Sequence, residues 1–281
     1  MGALLALLSS VSWGTGDFLG GSLSRRAHPL VVMRDAQGLA FLGLITVALF
    51  TGELDATGYL GWGVVAGLIG VVSLGCFYAA LAAGTMGVVA PIAATGAVVP
   101  VAVGIAQGES PTVVQVAGIA VAILGVVLAS GPERSPDEVH KGHRGPLLMA
   151  GVAALGFGTA LVLVAEGGEH SVVMTITTMR AVNAVVATLV ITFFVRKAEH
   201  PTRKDLPTLV AIGATDAGAN GLYAIAANMS LISVTAVFAS LYPAVTALLA
   251  WRFHHERLRR IQVVGVVATL LGVGLMAAGS A

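Results

Sequence analysis

Apolar residues run along this chain in ten blocks: residues 2–23, 30–51, 59–81, 85–107, 111–131, 145–165, 171–195, 206–229, 232–251 and 260–280. A helix crossing roughly 30 Å of hydrocarbon needs about 20 such residues, so the pattern predicts ten membrane-spanning helices. Most breaks are short and polar or rich in Gly and Pro, as at residues 25–29, 53–55 and 108–111. The breaks at 82–84 and 231–233 are weakly polar. They are placed by length, because without them the flanking blocks would be far too long for a bilayer. The longest break, residues 131–145, holds Pro132, Pro136 and eight ionisable residues, and it separates five blocks from five. The expected organisation is a first five-helix unit over 1–131, a charged linker over 132–144 and a second five-helix unit over 145–281. The opening Met1-Gly2-Ala3-Leu4-Leu5 lacks the basic flank of a secretory signal and reads as the start of the first span.

The two units carry the same pattern. Glu109, Gln115, Val116, Gly118, Leu124, Gly125, Val126 and Leu128 recur 147 residues later as Glu256, Gln262, Val263, Gly265, Leu271, Gly272, Val273 and Leu275. Polar Glu and Gln in one register point to internal duplication, which governs how the rest is read. Other pairs follow at offsets between 143 and 147: Trp13-Gly14-Thr15 with Phe157-Gly158-Thr159, Met33-Arg34 with Met179-Arg180, and Tyr78 with Tyr223.

Composition and charge sharpen the picture. The mean hydropathy is +0.92 and only 10% of residues are charged, against about 25% in a soluble domain. So few charges cannot cover a water-facing surface, and the chain reads as an integral membrane protein. A net charge of +1 argues against a nucleic-acid partner. The single cysteine, Cys76, excludes a disulfide framework and a cysteine metal site. No metal or cofactor is expected. Of the 15 basic residues, 13 fall in the odd-numbered breaks and none in the even-numbered ones. By the positive-inside rule the odd breaks are cytoplasmic and both termini face outward. Five helices per unit then make the second copy inverted relative to the first, an architecture of transporters whose substrate site lies near the bilayer midplane.

Ten helices as five plus five, Trp13-Gly14, Arg34 early in the second span, the Glu-x5-Gln-x2-Gly-x6-Gly hairpin and Pro243 within Ala239-Ser240-Leu241-Tyr242-Pro243 resemble the EamA-like family of the drug/metabolite transporter superfamily, bacterial ten-helix type. The resemblance implies an all-α membrane protein in a prokaryotic inner membrane that works without ATP hydrolysis. It implies a central cavity lined by spans 1, 3, 4, 6, 8 and 9, with spans 5 and 10 as scaffold. Family members export amino acids, other small metabolites or drugs, usually with both termini cytoplasmic; the basic breaks here place the termini outside. In the first unit Gly96 stands where Pro243 stands in the second, so the fourth span is expected to bend elsewhere than the ninth.

Candidate site residues follow from cost. Ionisable groups inside a membrane face a cavity or a partner. Asp17, Arg34, Arg180 and Asp216 are the coupling candidates. Asp17 and Arg34 sit at similar depth and are expected either to bridge or to gate. Arg180 and Asp216 both reach the midplane and are placed to pair. Asp216, Asn220 and Tyr223 share one helical face. With Trp13, Tyr78, Phe157 and Tyr242 as an aromatic wall, Asn220 and Tyr223 are expected to line the cavity. Pro91, Pro100 and Pro243 are the expected helix bends. His254-His255-Glu256 has the wrong order for a zinc protease, and no nucleotide loop is present. The seven histidines lie in breaks or at helix ends, so an enzyme is not expected. The expected function is secondary transport of amino acids or related compounds, outward and proton-coupled, by alternating access. The alternatives are a multidrug permease of the same fold and a non-transporting membrane scaffold. The expected partners are a small-molecule substrate, protons and the lipid bilayer; a monomer and a homodimer both remain open.

Overall fold

In a computed structural model, the described residues are 1–84, 86–108, 110–129, 144–195, 197–239, 241–254 and 260–278. Among them all regular structure is helical. Glu109, Glu256 and linker residues 132–143 lie outside the described residues. The helices are α1 (Gly2–Ser24), α2 (Pro29–Thr51), α3 (Leu60–Ala83), α4 (Met86–Ala94), α5 (Val98–Ala106), α6 (Val113–Ala129), α7 (Arg144–Phe194), α8 (Leu206–Met229), α9 (Ile232–Ala239), α10 (Tyr242–His254) and α11 (Arg260–Ala278). By length and composition, Pro29–Thr51, Leu60–Ala83, Val89–Ala106 and Gly145–Phe194 are long and apolar enough to cross a membrane.

Local sequence sets several boundaries. Pro29 occupies the first turn of α2, where its missing N–H has no intrahelical acceptor. Gly52 ends the same helix at φ 74°, a left-handed conformation that glycine adopts without strain. Ahead of α8, Thr202 and Asp205 form a reciprocal capping box around the 3-10 turn Arg203–Asp205.

Three segments differ from unbroken or loop-separated spans. The fourth block splits into α4 and α5 around the 3-10 turn Thr95–Ala97. The ninth block splits into α9 and α10. Pro100 and Pro243 lie in the first turns of α5 and α10, directly after the breaks, where their lack of an N–H costs no ladder bond. Pro91 lies inside α4. The third difference is at residues 166–170, where the pattern predicts a loop. Helix continues through them, and a single residue, Ser171 (φ −163°, ψ 114°), breaks α7. The Ser171 hydroxyl donates to Glu53 and accepts from the Met174 N–H at 3.0 Å, capping the segment that follows.

The chain reverses at this kink. Before it, Pro146, Gly156 and Gly167 of α7 lie against Gly84, Ser73 and Trp62, so α7 runs antiparallel to α3. After it, Thr175, Met179 and Asn183 lie against Gly63, Gly67 and Gly70, so α7 runs parallel to α3. The absent side chains at Gly63 and Gly67 admit the Thr175 and Met179 carbonyls.

The turns gather at two ends. At one, Arg26 pairs with Asp205 at 2.6 Å, the His28 N–H donates to the Glu199 carbonyl at 2.9 Å, and Ser22 meets His254 at 2.7 Å. At the other, Glu53 meets Ser171, Gln107 donates to Glu166 at 3.0 Å, and His170 packs on Gly58. The 25–28, 197–205 and 254 turns thus share one end, and the 52–58, 107 and 166–171 turns share the other. The helices α6 and α11 pack on each other to one side of the bundle, away from the cavity described next.

Candidate functional site

The polar residues of the bundle interior converge on Asp216 of α8. Its Oδ2 accepts from Arg180 Nη1 at 2.8 Å and from Gln37 Nε2 at 2.8 Å. Its Oδ1 accepts from Trp13 Nε1 at 3.2 Å and from Asn220 Nδ2 at 3.2 Å. A carboxylate offers about four acceptor positions, and here four side chains from α1, α2, α7 and α8 fill them. Arg180 is 1% exposed, and a buried ion is tolerable only when paired and hydrogen-bonded. Its Nη1 also donates to Gln37 Oε1 at 2.6 Å, and its Nη2 reaches the Asp216 carbonyl at 3.4 Å. Asn183 Nδ2 completes the network on Gln37 Oε1 at 3.4 Å.

This network forms one wall of a cavity of about 620 Å³, open mouth included. Trp13, Phe157 and Tyr242 supply aromatic surface, and Gly70, Leu74, Leu161 and Met179 supply apolar surface. Trp13 and Tyr242 stand edge to face with centroids 6.4 Å apart. A smaller adjoining hollow extends past the same three aromatic residues to the α4–α5 break at Ala94, Gly96 and Ala97. The lining comes from α1, α3, α7, α8 and α10, hence from both duplicated units.

Asp17 lines the same cavity and behaves differently. It is 9% exposed, yet among the described residues it makes no hydrogen bond or ion pair. The bridge to Arg34 expected as one possibility does not form: Arg34 turns to its neighbour Asp35, with Nη2 2.6 Å and Nε 2.8 Å from Oδ1. A neighbouring carboxylate on the same helix satisfies the guanidinium without crossing the bundle.

The other expected cavity residues divide. Asn220 lines the cavity. Tyr223 is fully buried beneath it, its ring 6.0 Å from that of Trp13. Tyr78 is also buried, packed into the notch left by Gly20, and supports the site from behind. Pro91, Pro100 and Pro243 flank the broken segments and are absent from the cavity wall. Two polar members escaped the sequence reading, Gln37 and Asn183. A signal was available: continuing the Met33-Arg34/Met179-Arg180 match by three residues pairs Gln37 with Asn183. The part of α7 that follows Ser171 also lines the cavity, through Met179, Arg180 and Asn183.

Comparison with known proteins bears on what this cavity serves. The family model described as "EamA-like transporter family" matches residues 1–131 and again residues 144–278. The chain belongs to the EamA-like transporter family. It is therefore an integral membrane protein of the drug/metabolite transporter superfamily, built from two copies of the EamA unit. No curated protein matches the chain. Among solved structures, one described only as "Crystal structure of protein" superposes with a TM-score of 0.77 at 16% identity, covering 99% of this chain and 96% of that chain. That likeness establishes a shared fold for this EamA-like chain.

Proposed function

We propose that this chain is a secondary transporter that moves a small amphipathic metabolite, of the size and class of amino acids and related compounds, by alternating access. The observation that carries the reading is a cavity whose wall is shared by both EamA units and holds intramembrane charge. Ten crossings in two inverted halves fit the helical segments, with α4–α5 and α9–α10 as broken spans and α7 as two spans reversing at Ser171. Close packing of equivalent parts supports the relation: Gly14 lies against the Tyr242 carbonyl, and Gly158 lies against the Gly96 carbonyl. The end that gathers Arg25, Arg26, Arg203 and Lys204 is assigned to the cytoplasm. The outward direction of transport follows the family resemblance alone.

Proton coupling is placed on Asp17. Asp216 has its charge balanced by Arg180 and its acceptor positions filled, whereas Asp17 lines the cavity with no ion pair among the described residues. Taking up and releasing a proton at Asp17 changes the charge of the cavity without dismantling a network. The test is flux in reconstituted vesicles. Filling the cavity with Ala160→Phe is expected to abolish flux of every substrate while the protein still purifies as a folded species. Any residual flux of Asp17→Asn is expected to ignore an imposed pH gradient. Undiminished flux in Ala160→Phe would refute the cavity as the route.

A further inference from the structure

The charge carried by the cavity wall selects among the cargoes that the transport reading leaves open. Among the described residues lining it, the ionisable acids and bases are Asp17, Arg180 and Asp216. Arg180 and Asp216 cancel each other in a 2.8 Å pair. The wall therefore presents one carboxyl group with no cationic partner among the described residues, that of Asp17, which an entering cation would hold ionised. The guanidinium has no open face for a second anion. Its Nη atoms are engaged by Gln37 and Asp216, and its Nε is sealed from the cavity as a buried atom with no partner. No Lys or second Arg joins the described lining. Trp13, Phe157 and Tyr242 line the same cavity, Trp13 with its Nε1–H on Asp216. Aromatic faces attract cations through their quadrupoles, most strongly where water is excluded.

We infer that the cavity is a binding site for an amphipathic organic monocation, an amine without a carboxylate, whose ammonium group pairs with Asp17 and whose apolar body lies on Trp13, Phe157 and Tyr242. A free amino acid fits less well. Its ammonium group satisfies Asp17, but its carboxylate then enters a cavity with no free cation, and an unpaired buried charge is strongly disfavoured. An anion fits worst, since no cation of the described lining is free to meet it and it offers nothing to the Asp17 carboxyl. This inference rests on the transport reading and narrows its cargo from amino acids and relatives to the corresponding amines.

The test uses three ligands with one phenyl ring and three charge states: phenethylamine, phenylalanine and phenylacetate. Binding to the full-length protein in nanodiscs is measured by titration calorimetry. Phenethylamine is expected to bind at least roughly tenfold more tightly than phenylalanine, with phenylacetate weaker still. Asp17→Asn is expected to lose phenethylamine binding by at least roughly tenfold, and Asp17→Glu to retain it, with matched melting curves showing that both are folded. A phenylalanine affinity equal to or above that of phenethylamine, undiminished phenethylamine binding in Asp17→Asn, or no phenethylamine binding at all overturns the inference. Flux separates this outcome from failure of the transport reading. Vesicles that move phenylalanine in preference to the amine remove the amine assignment and leave transport standing. Amine binding through Asp17 without flux of any ligand does the reverse.

Discussion

Asp216 is held by more side chains than any of its four partners needs for itself, and that asymmetry predicts how the network fails. Removing the carboxylate strands the Arg180 guanidinium, which is 1% exposed. Breaking a buried pair by deleting one partner costs roughly 3–5 kcal/mol, whereas replacing both by apolar residues is often near neutral. Asp216→Ala is therefore expected to lower unfolding stability in detergent by about that amount, and Arg180→Leu combined with Asp216→Leu to recover most of it. A double variant as unstable as the single one would show that Gln37, Trp13 and Asn220 depend on the charge itself. Charged residues inside apolar blocks announce themselves, so Arg180, Asp216 and Asp17 were legible in the sequence. Gln37 and Asn183 carry no charge and were legible only through their place in the duplicated pattern. The partner of Arg34 was misjudged because depth along two helices says nothing about rotation around them, and adjacent Asp35 is already within reach.

Helix boundaries were legible wherever Pro, Gly or charge marks them. They were not at Ser171, where one polar residue turns the chain without a loop, nor at residues 95–97, where the turn stays helical in its backbone. Element packing rests on glycines that fall into two kinds. A Cβ at Gly158 would overlap the Gly96 carbonyl, and one at Gly96 would overlap the Ala154 carbonyl; neither backbone atom can swing aside. A Cβ at Gly43 meets nothing within 4 Å. Gly158→Ala is expected to destabilise by about 1–3 kcal/mol through overpacking, and Gly43→Ala to stabilise by about 1 kcal/mol through helix propensity. Thermal unfolding in detergent reads both. At the turn before α8, the Asp205 carboxyl is held below its usual range by the Thr202 backbone N–H, then by the Thr202 hydroxyl and Arg26. A depressed folded value means that its stabilisation is present above about pH 4 and fades as pH falls through the folded value. Asp205→Asn is expected to melt lower at neutral pH and to show a flatter acid limb than the parent.

At the scale of the whole molecule, the two clustered ends turn the charge asymmetry into a measurable topology. In a Cys76→Ser background, a membrane-impermeant thiol reagent on intact cells is expected to label Glu169→Cys and to spare Lys197→Cys until the cells are opened. The opposite pattern would invert the assigned orientation while leaving the helices as they are. The helical, membrane-embedded character of the chain was readable from block length, because bilayer thickness sets how long an apolar helix must be, and the duplication was readable from the recurrence of polar residues at one offset, which the family model matches twice. Which helices enclose the cavity was only partly readable, since α7 beyond Ser171 contributes through residues whose neighbours are set by packing. The duplication has also left the copies unequal. At the 145-residue offset of the Tyr78/Tyr223 match, Val71 and Gly75 of the first copy correspond to Asp216 and Asn220 of the second. Arg34 has lost, or never had, the partner that Arg180 keeps. Two first copies joined head to tail would assemble a cavity without its central anion, and two second copies would carry Arg180 and Asp216 twice but Gln37 and Asp17 not at all. The two copies are thus not interchangeable at the cavity: each supplies described residues of the network that the other lacks.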